Sequence, residues 1–305
     1  MSAPQARRGA ALATVALIAV TAVWGSTFFL IKDVVQRVAV ADFLAVRFVL
    51  AALAMALMFA RPLMRLPRRQ WLQGLALGAL YGVAQLLQTT GQIYASASVS
   101  GFVTGMYVVF TPLLGTVLLR QRMPSVTWIA VLLATGGLAL LSLQGFTVNK
   151  GVVLVLISAA LYGLHIVGLG QWSRPGDAFA LSTVQMLAIA VVCLLATLPH
   201  GPKLPPDRGV WLALIYMALA AGAGAMLVQT WAQAHMPATR AAIVMTLEPV
   251  FAAGFAVAFG GESLTWRMLG GGALVLAAMY LVELAPRRNA RKAAEMPAEA
   301  IHHEV

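Results

Sequence analysis

The residue of this sequence best placed to do chemistry is Glu248, the one carboxylate near the middle of the apolar segment 238–260. An ionisable side chain at the centre of a bilayer is costly unless it is paired, protonated or hydrated, so such residues commonly mark substrate or proton pathways. Pro249 follows directly and leaves the carbonyl of residue 245 without its usual helical N–H donor. Glu248 is therefore predicted to carry a proton or to contact a substrate. The alternative is a protonated or arginine-paired glutamate with a structural role.

Polar side chains also recur at helical spacing in several apolar segments, where residues i, i+3 or i+4, and i+7 share one face of a helix. Polar groups are costly toward lipid, so these faces are expected to turn toward the protein interior or a hydrated cavity. An ordinary hydrogen bond to a neighbouring helix, worth about 0.6 kcal/mol, stays open as the alternative for each residue taken singly. The polar faces are Tyr81, Gln85, Gln88 and Gln92; Ser100, Thr104, Tyr107 and Thr111; Ser158, Tyr162, His165 and Trp172; and Gln229 with Gln233.

The aromatic and titratable residues among them indicate what a ligand would meet. Trp24, Tyr107 and Tyr162 would stack on a flat group or hold a cation over a ring, or they simply pack. His165 would bind substrate or relay a proton near neutral pH, or it is a neutral interior histidine. The residues predicted to contact a substrate are Trp24, Tyr81, Gln85, Gln88, Tyr107, Thr111, Tyr162, His165, Gln229 and Glu248.

Two further features are predicted to be structural. Arg47 lies about two turns into its apolar segment, from where it can reach the outer surface and pair with Asp33 or Asp42. The glycines spaced four residues apart in 74–82 form a row of small residues, which allows two helices to approach closely.

The elements that position these residues follow from the composition. The chain has 305 residues, of which 61% are hydrophobic and 10% are charged, whereas a soluble domain carries about 25% charged residues. The apolar residues come in runs of about 20, which as helices cross a hydrocarbon core of roughly 30 Å. The sequence therefore predicts an all-α integral membrane protein. Its one cysteine, Cys193, lies inside an apolar run and offers neither a disulfide nor a metal site.

Ten transmembrane helices are predicted, and the basic residues orient them. With the N-terminus inside, fourteen Lys and Arg residues lie on the inner side and six on the outer side. Cytoplasmic loops carry the excess of positive charge, so both termini are predicted to be cytoplasmic, in a plasma (inner) membrane protein. The net charge of +11 thus reflects membrane orientation and not a nucleic-acid partner. The predicted spans are 10–31, 41–60, 71–93, 99–119, 126–143, 151–171, 178–198, 209–233, 239–260 and 266–285.

The two halves of the chain resemble each other. A shift of 137 positions aligns Gln92 with Gln229, and Thr111-Pro112 with Glu248-Pro249, so the prolines are candidate hinges. Because each half has five spans, an odd number, the second half enters the membrane from the opposite side, which makes an inverted-topology repeat. The predicted organisation is a cytoplasmic N-terminus at 1–9, five-helix repeats at 10–145 and 146–285, and a disordered cytoplasmic tail at 286–305.

Four short motifs follow one another along the chain. They are Trp24-Gly25-Ser26-Thr27-Phe28, Phe43-Leu44-Ala45-Val46-Arg47-Phe48, Glu248-Pro249-Val250 and Gly261-Glu262-Ser263-Leu264-Thr265. In this order they resemble EamA-type members of the drug/metabolite transporter superfamily, over essentially all of residues 10–285. The resemblance implies a ten-helix inverted-repeat transporter, in a family that often exports amino acids or other small metabolites. The chain departs from the pattern at Arg122, which roughly occupies the place of an acidic residue in the first repeat.

The predicted function is a secondary transporter, not driven by ATP, that exports small metabolites such as amino acids or amphipathic, drug-like compounds. Transport would proceed by alternating access around a midplane cavity, with either proton coupling through Glu248 or facilitated diffusion. The sequence has no nucleophile motif, phosphate loop or metal-ligand motif, so no catalytic residue, cofactor or metal is predicted. The alternatives are an intramembrane enzyme acting on a lipid or isoprenoid, and a membrane scaffold that transports nothing. In the lipid bilayer the protein is predicted to be a monomer or homodimer.

Overall fold

The computed structural model describes residues 3–119, 125–144, 147–199, 201–236, 238, 241 and 244–295. These residues form helices joined by short connections, and the predicted all-α class is confirmed. The first half comprises α1 (Ala3–Val34), α2 (Val40–Met58), α3 (Ala60–Met64), α4 (Arg68–Tyr94), α5 (Ala97–Thr104), α6 (Tyr107–Leu119) and α7 (Ser125–Ser142), then the two-residue antiparallel pair β1 (Leu143–Gln144) and β2 (Thr147–Val148). The second half comprises α8 (Lys150–Trp172), α9 (Ala178–Leu195), α10 (Arg208–Tyr216), a π-helical segment (Met217–Gly224), α11 (Ala225–Gln233), a 3-10 turn (Met245–Leu247), α12 (Glu248–Ala258) and α13 (Trp266–Glu295).

Six helical stretches in the described part of the chain are long and apolar enough to cross a membrane. They are Leu12–Val34, Val40–Met58, Ala97–Leu119, Lys150–Trp172, Ala178–Leu195 and Arg208–Gln233. Two shorter apolar helices, Glu248–Ala258 and Trp266–Leu281, follow. Helix α4 has 27 residues, enough to reach about 40 Å, but its glutamines lower its mean hydropathy. Helix is thus present in each of the ten ranges expected to span, and the range 239–260 is described only in part.

Both end helices extend past the predicted spans. Helix α1 begins at Ala3, within the segment 1–9, and Pro4 suits a first turn because its missing N–H needs no helical acceptor there. Helix α13 continues to Glu295, so residues 286–295 of the predicted tail are helical, in a stretch rich in Ala and Arg, which favour helix. The rest of that predicted tail, 296–305, lies outside the described residues.

Three of the expected spans are interrupted. The range 99–119 divides into α5 and α6 at Gly105 and Met106. The range 209–233 contains the π-helical segment, whose wider turn is a feature frequently found at functional sites. In the range 239–260, α12 begins at Glu248 with Pro249 in its first turn, after the 3-10 turn. Pro249 cannot donate to the carbonyl of Met245, so the helix starts anew at that point.

The helices of the two halves pack against each other in related pairs. Helix α4 packs on α8 and α9, while α11 packs on α1 and the π-helical segment packs on α2. Helix α1 packs on α12, and α6 packs on α8. Three more pairs join α2 to α9, α5 to α12 and α7 to α13. The polar faces of α4 and α8 and the Glu248 side chain line the same cavity.

The glycine row of α4 allows the close contact with α9. A Cβ added at Gly74 would lie 2.8 Å from Val184, and one added at Gly78 would collide with the carbonyl oxygen of Gln185. Such distances are far below ordinary van der Waals contact, so only glycine fits at this crossing. The predicted packing role of the row is therefore what the structure shows.

Candidate functional site

A cavity lies at the centre of the helix packing, and we call it the central cavity. Its walls come from α1, α2, α4, α5 and α6 in the first half, and from α8, α11, the 3-10 turn and α12 in the second. The wall combines aromatic rings, side-chain amides, one imidazole, one guanidinium and one carboxyl group. The lining residues are Trp24, Thr27, Phe28, Ile31, Arg47, Tyr81, Gln85, Gln88, Gln92, Thr104, Tyr107, Tyr162, His165, Ile166, Gln229, Met245 and Glu248.

Nine of the ten residues predicted to contact a substrate line the central cavity, and Thr111 does not. The Thr111 hydroxyl donates to the carbonyl of Tyr107 in its own helix, at 2.7 Å. Helical spacing from predicted residues could have added further lining residues: Thr27 lies three positions after Trp24. Gln92 and Thr104 also line the cavity; both lie on the predicted polar faces, where nothing in the pattern distinguishes a ligand contact from a bond between helices.

Arg47 is the lining residue that the sequence placed elsewhere. Its side chain was expected to reach the outer surface and pair with Asp33 or Asp42, but it turns inward and is only 3% exposed. Its Nε donates to the carbonyl of Met217 at 3.2 Å. Asp33 forms an ion pair with Arg37 instead. The predicted surface anchor is therefore wrong, because a hydropathy pattern cannot show which helix face a lone arginine occupies.

Glu248 is held in the cavity wall by Tyr107. The Tyr107 hydroxyl oxygen lies 3.0 Å from Glu248 Oε2 and 2.8 Å from the carbonyl oxygen of Met245. A phenol has one proton for these two acceptors. Both contacts become hydrogen bonds when Tyr107 donates to Met245 and a protonated Glu248 donates to the Tyr107 oxygen. Glu248 is 5% exposed and forms no ion pair with any residue that the structure describes, so a neutral carboxyl group suits this site.

Polar residues from both halves form hydrogen bonds around the cavity. Gln88 donates from Nε2 to Thr104 Oγ1 at 2.9 Å and accepts from the Tyr162 hydroxyl at 3.0 Å. His165 Nε2 lies 2.8 Å from Gln185 Oε1, while Gln185 Nε2 donates to a backbone carbonyl of α9. The amide orientation makes His165 Nε2 the protonated nitrogen and leaves Nδ1 as an acceptor.

Several buried polar atoms of the lining have no hydrogen-bond partner among the described residues. Buried polar groups in proteins nearly always bind a protein group, a water molecule or a ligand. These atoms therefore mark positions where the cavity can bind water or a polar solute. They are Gln85 Oε1, Gln92 Oε1, Gln92 Nε2, His165 Nδ1 and Gln229 Oε1.

The aromatic part of the wall is rigidly packed. The Tyr81 ring lies edge-on to Tyr162, with ring centroids 5.1 Å apart, and edge-on to His165 at 5.0 Å. Trp24 is fixed from the opposite half, since its Nε1 donates to the carbonyl of Ala221 at 2.9 Å. Ala221 belongs to the π-helical segment, as does Met217, which accepts from Arg47. Two lining side chains are thus positioned by the backbone of one segment.

Comparison with known families identifies the chain. The sequence model of the EamA-like transporter family matches residues 11–143 and 149–284. The chain belongs to the EamA-like transporter family. The predicted resemblance is confirmed, and this EamA protein is a membrane transporter by family, with several apolar helices of membrane-spanning length. Its family and the names of its relatives point to transport and not to catalysis.

Its relatives include proteins that align over most of its length. A protein of Archaeoglobus fulgidus named "Uncharacterized transporter" is 30% identical over 273 residues, 89% of this chain and 86% of that protein. The Escherichia coli (strain K12) "Uncharacterized inner membrane transporter YedA" is 26% identical over 281 residues, 88% of this chain and 90% of that protein. A "Probable terminal-alkyne amino-acid exporter" of Streptantibioticus cattleyicolor is 28% identical over 135 residues, 44% of this chain and 43% of that protein.

A solved crystal structure shares the fold of this EamA protein. It superposes with a TM-score of 0.67 over 91% of this chain and 98% of its own, at 18% sequence identity. At this identity the likeness concerns the fold alone.

Proposed function

We propose that this EamA-family protein is a secondary transporter, not driven by ATP, that exports small metabolites such as amino acids or amphipathic, drug-like compounds. The observation that carries the proposal is the central cavity, whose aromatic, amide and ionisable lining comes from both halves of the chain. A solute held between two halves can be exposed to one side and then the other as the halves rock. The residues proposed to contact it are Trp24, Tyr81, Gln85, Gln88, Tyr107, Tyr162, His165, Gln229 and Glu248.

The packing of the helices supports two inverted five-helix repeats, at 10–145 and 146–285. In an inverted repeat, each of the first five spans corresponds to the span five further along the chain. Under this correspondence the contact of α4 with α8 becomes that of α11 with α1, and the contact of α1 with α12 becomes that of α8 with α6. All four contacts are observed. The pairs α2 with α9, α5 with α12 and α7 with α13 map onto themselves. The family model also matches the chain in two segments with similar bounds. A pseudo-two-fold relation explains why the pairs recur.

Contacts between connecting segments support ten crossings. Segments predicted on the outer side touch one another: Arg37 Nη1 lies 3.1 Å from Asp207 Oδ2, and the backbone N–H of Ala97 donates to Glu262 at 2.6 Å. On the inner side, Gln70 Nε2 donates to Asp177 Oδ2 at 2.8 Å. These contacts agree with an alternation of inner and outer connections.

The membrane and orientation are proposed from charge and relatives. The excess of basic residues in the inner loops favours cytoplasmic termini. The relative YedA is named an inner membrane transporter. Export of amino acids is supported by the name of the Streptantibioticus relative, which aligns with about half of the chain.

Glu248 is proposed as the proton carrier of the transport cycle. A protonated carboxyl completes the hydrogen bonds of Tyr107 in the buried arrangement observed here. Opening of the cavity to water would hydrate the group and allow it to release its proton. Exchange of that proton across the membrane would drive the solute.

Flux measurements in proteoliposomes test both parts of the proposal. With an imposed proton gradient, the purified protein is expected to move amino acids, and Glu248→Gln is expected to lose the proton-driven component at least tenfold. Asp207→Asn is the matched control, since Asp207 caps α10 outside the cavity and Asn is an equally good helix cap.

Two results would contradict the proposal, and they differ. Undiminished, still proton-coupled flux by the Glu248→Gln variant would reject the role of Glu248 and leave transport intact. If the unaltered protein moves no small metabolite at all, the proposal that it transports this class of solute is rejected.

A further inference from the structure

We propose that Arg47 is the anion-recognising residue of the central cavity, and that the cavity accepts small organic carboxylates, including zwitterionic amino acids, by binding the carboxylate to the guanidinium group. The inference rests on the proposed function and narrows its substrate class.

Arg47 presents unused hydrogen-bond donors in a buried place. A guanidinium carries five N–H donors, and among the residues that the structure describes only Nε finds an acceptor, the carbonyl of Met217. The group packs over the Phe48 ring, with Cζ 4.9 Å from the ring centroid. This contact engages the Cζ side of the group, while both Nη atoms have no hydrogen bond to any residue that the structure describes. A carboxylate binds the edge of a guanidinium through two parallel hydrogen bonds.

The charge of Arg47 has no counter-ion among the residues that the structure describes. Burying a charge is costly unless it is paired and hydrogen-bonded, and arginine cannot relieve the cost by losing its proton. A bound carboxylate would supply the missing negative charge. The unpaired charge of Arg47 therefore favours the binding of an anionic solute and repels a cationic one.

The acid of the cavity does not neutralise this cation. Arg47 and Glu248 line the same cavity, yet no ion pair within 4 Å joins them. The wall thus offers a donor of positive charge and an acidic acceptor at separate points, with aromatic rings beside them. An aromatic amino acid presents complementary groups: carboxylate, ammonium and ring.

A purely structural role for Arg47 would have different consequences. If the side chain served only to hold the π-helical segment through Met217, its loss would disturb the cavity for every ligand alike. If it recognises an anion, its loss affects only ligands that carry one. Ligands matched in size and differing in charge therefore separate the two roles.

The test measures binding of three probes to the purified full-length protein in detergent: L-phenylalanine, 3-phenylpropionate and 2-phenylethylamine. Titration calorimetry, supported by the shift in unfolding temperature, requires no transport. The unaltered protein is expected to bind both carboxylates at least tenfold more tightly than the amine. Arg47→Gln is expected to weaken both carboxylates at least tenfold and to bind the amine equally well or more tightly.

Two variants keep the test informative. Arg47→Lys retains the charge and loses the planar fork, so an intermediate preference for carboxylates is expected, and it replaces Arg47→Gln if that variant does not fold. Arg37→Gln removes an exposed arginine outside the cavity and is expected to leave all three affinities unchanged.

The assignment is overturned if the variants at Arg47 keep the carboxylate preference, if all three affinities fall together, or if the unaltered protein binds none of the probes. The proposed transport can be contradicted independently of this assignment. A protein that binds the carboxylates through Arg47 and moves no solute would contradict the proposed transport and leave this site standing.

Discussion

A single missing hydrogen explains much of the local chemistry around Glu248. Because Pro249 has no N–H, the carbonyl of Met245 lacks an α-helical partner and instead accepts from the Glu248 N–H in a 3-10 turn and from the Tyr107 hydroxyl. The same hydroxyl contacts the Glu248 carboxyl group. The sequence pair Glu248-Pro249 thus supplies the acid and also frees the Met245 carbonyl, which holds the Tyr107 hydroxyl next to that acid. Thr111-Pro112, at the aligned position of the first half, provides only a hydroxyl bonded to its own helix.

Replacing Tyr107 by phenylalanine tests this arrangement. The change leaves the ring in place but takes the hydroxyl away from two buried partners, the Met245 carbonyl and the Glu248 carboxyl group, so the free energy of unfolding is expected to fall by about 1–3 kcal/mol. Proton-driven flux should fall as well, because Glu248 loses its hydrogen-bond partner among the described residues. Tyr280→Phe, at an exposed tyrosine of α13, is the control and should change neither unfolding nor flux. Equal behaviour of the two variants would contradict the role of the Tyr107 hydroxyl.

At the scale of elements, α4 is the helix that presents most polar groups to the cavity, and its position is fixed along its length. Its glycine row lies against α9. At its C-terminus, Lys32 Nζ donates to the carbonyls of Gln92 at 2.8 Å and Ala95 at 2.9 Å. At the N-terminus of α5, the Glu262 carboxylate accepts from the backbone. The positive charge of Lys32 at the C-terminus of α4 and the negative charge of Glu262 at the N-terminus of α5 are each favourable to the dipole of the helix they contact.

Gly78→Ala should displace α4 from α9. The added methyl group would collide with the carbonyl oxygen of Gln185, backbone that cannot move alone. Overpacking of this kind costs about 1–3 kcal/mol, and the shift would also move the glutamines of α4 and weaken ligand binding. Gly254→Ala in α12 is the matched control, because an added Cβ there meets nothing within 4 Å and alanine favours helix by about 1 kcal/mol. A lower unfolding temperature is expected for the first variant alone.

At the scale of the whole molecule, the proposed ten crossings with cytoplasmic termini predict which connections face the cell exterior. Single cysteines at Leu204 and Ser263 should react with a membrane-impermeant maleimide in intact cells, whereas cysteines at Met64 and Gly176 should react only after the membrane is opened. All four positions are exposed and uncharged, so the substitutions leave the balance of basic residues unchanged. The native Cys193 is buried and should remain unlabelled. The reverse labelling pattern would reject the proposed orientation.

Much of this architecture could be predicted from the sequence, for identifiable reasons. Hydropathy located the helices. The i, i+3, i+4 pattern selected seven residues that share one cavity, and the chemistry of a lone carboxylate and of an indole added Glu248 and Trp24. Thr111 lies outside the cavity lining and stays a prediction; its hydroxyl bonds to a preceding carbonyl of its own helix, an option open to any helical threonine that no pattern reveals. The direction of the Arg47 side chain could not be predicted, because hydropathy locates a helix without showing what each of its faces contacts. The π-helical segment had no signal at all, since Met217–Gly224 consists mainly of alanine and glycine.

That segment has a consequence for how the cavity will respond to mutagenesis. It acts on the cavity through the main-chain carbonyls of Met217 and Ala221, which hold Arg47 and Trp24 and which belong to no side chain. Replacing an exposed side chain of this stretch, such as Leu219, is therefore expected to leave the lining unchanged. Only a change in the length of the segment, by inserting or deleting a residue, would rotate those carbonyls away. We therefore expect single-residue insertions and deletions in this segment to change ligand binding more than substitutions do. Loss of ligand binding in such variants is the measurement that checks this.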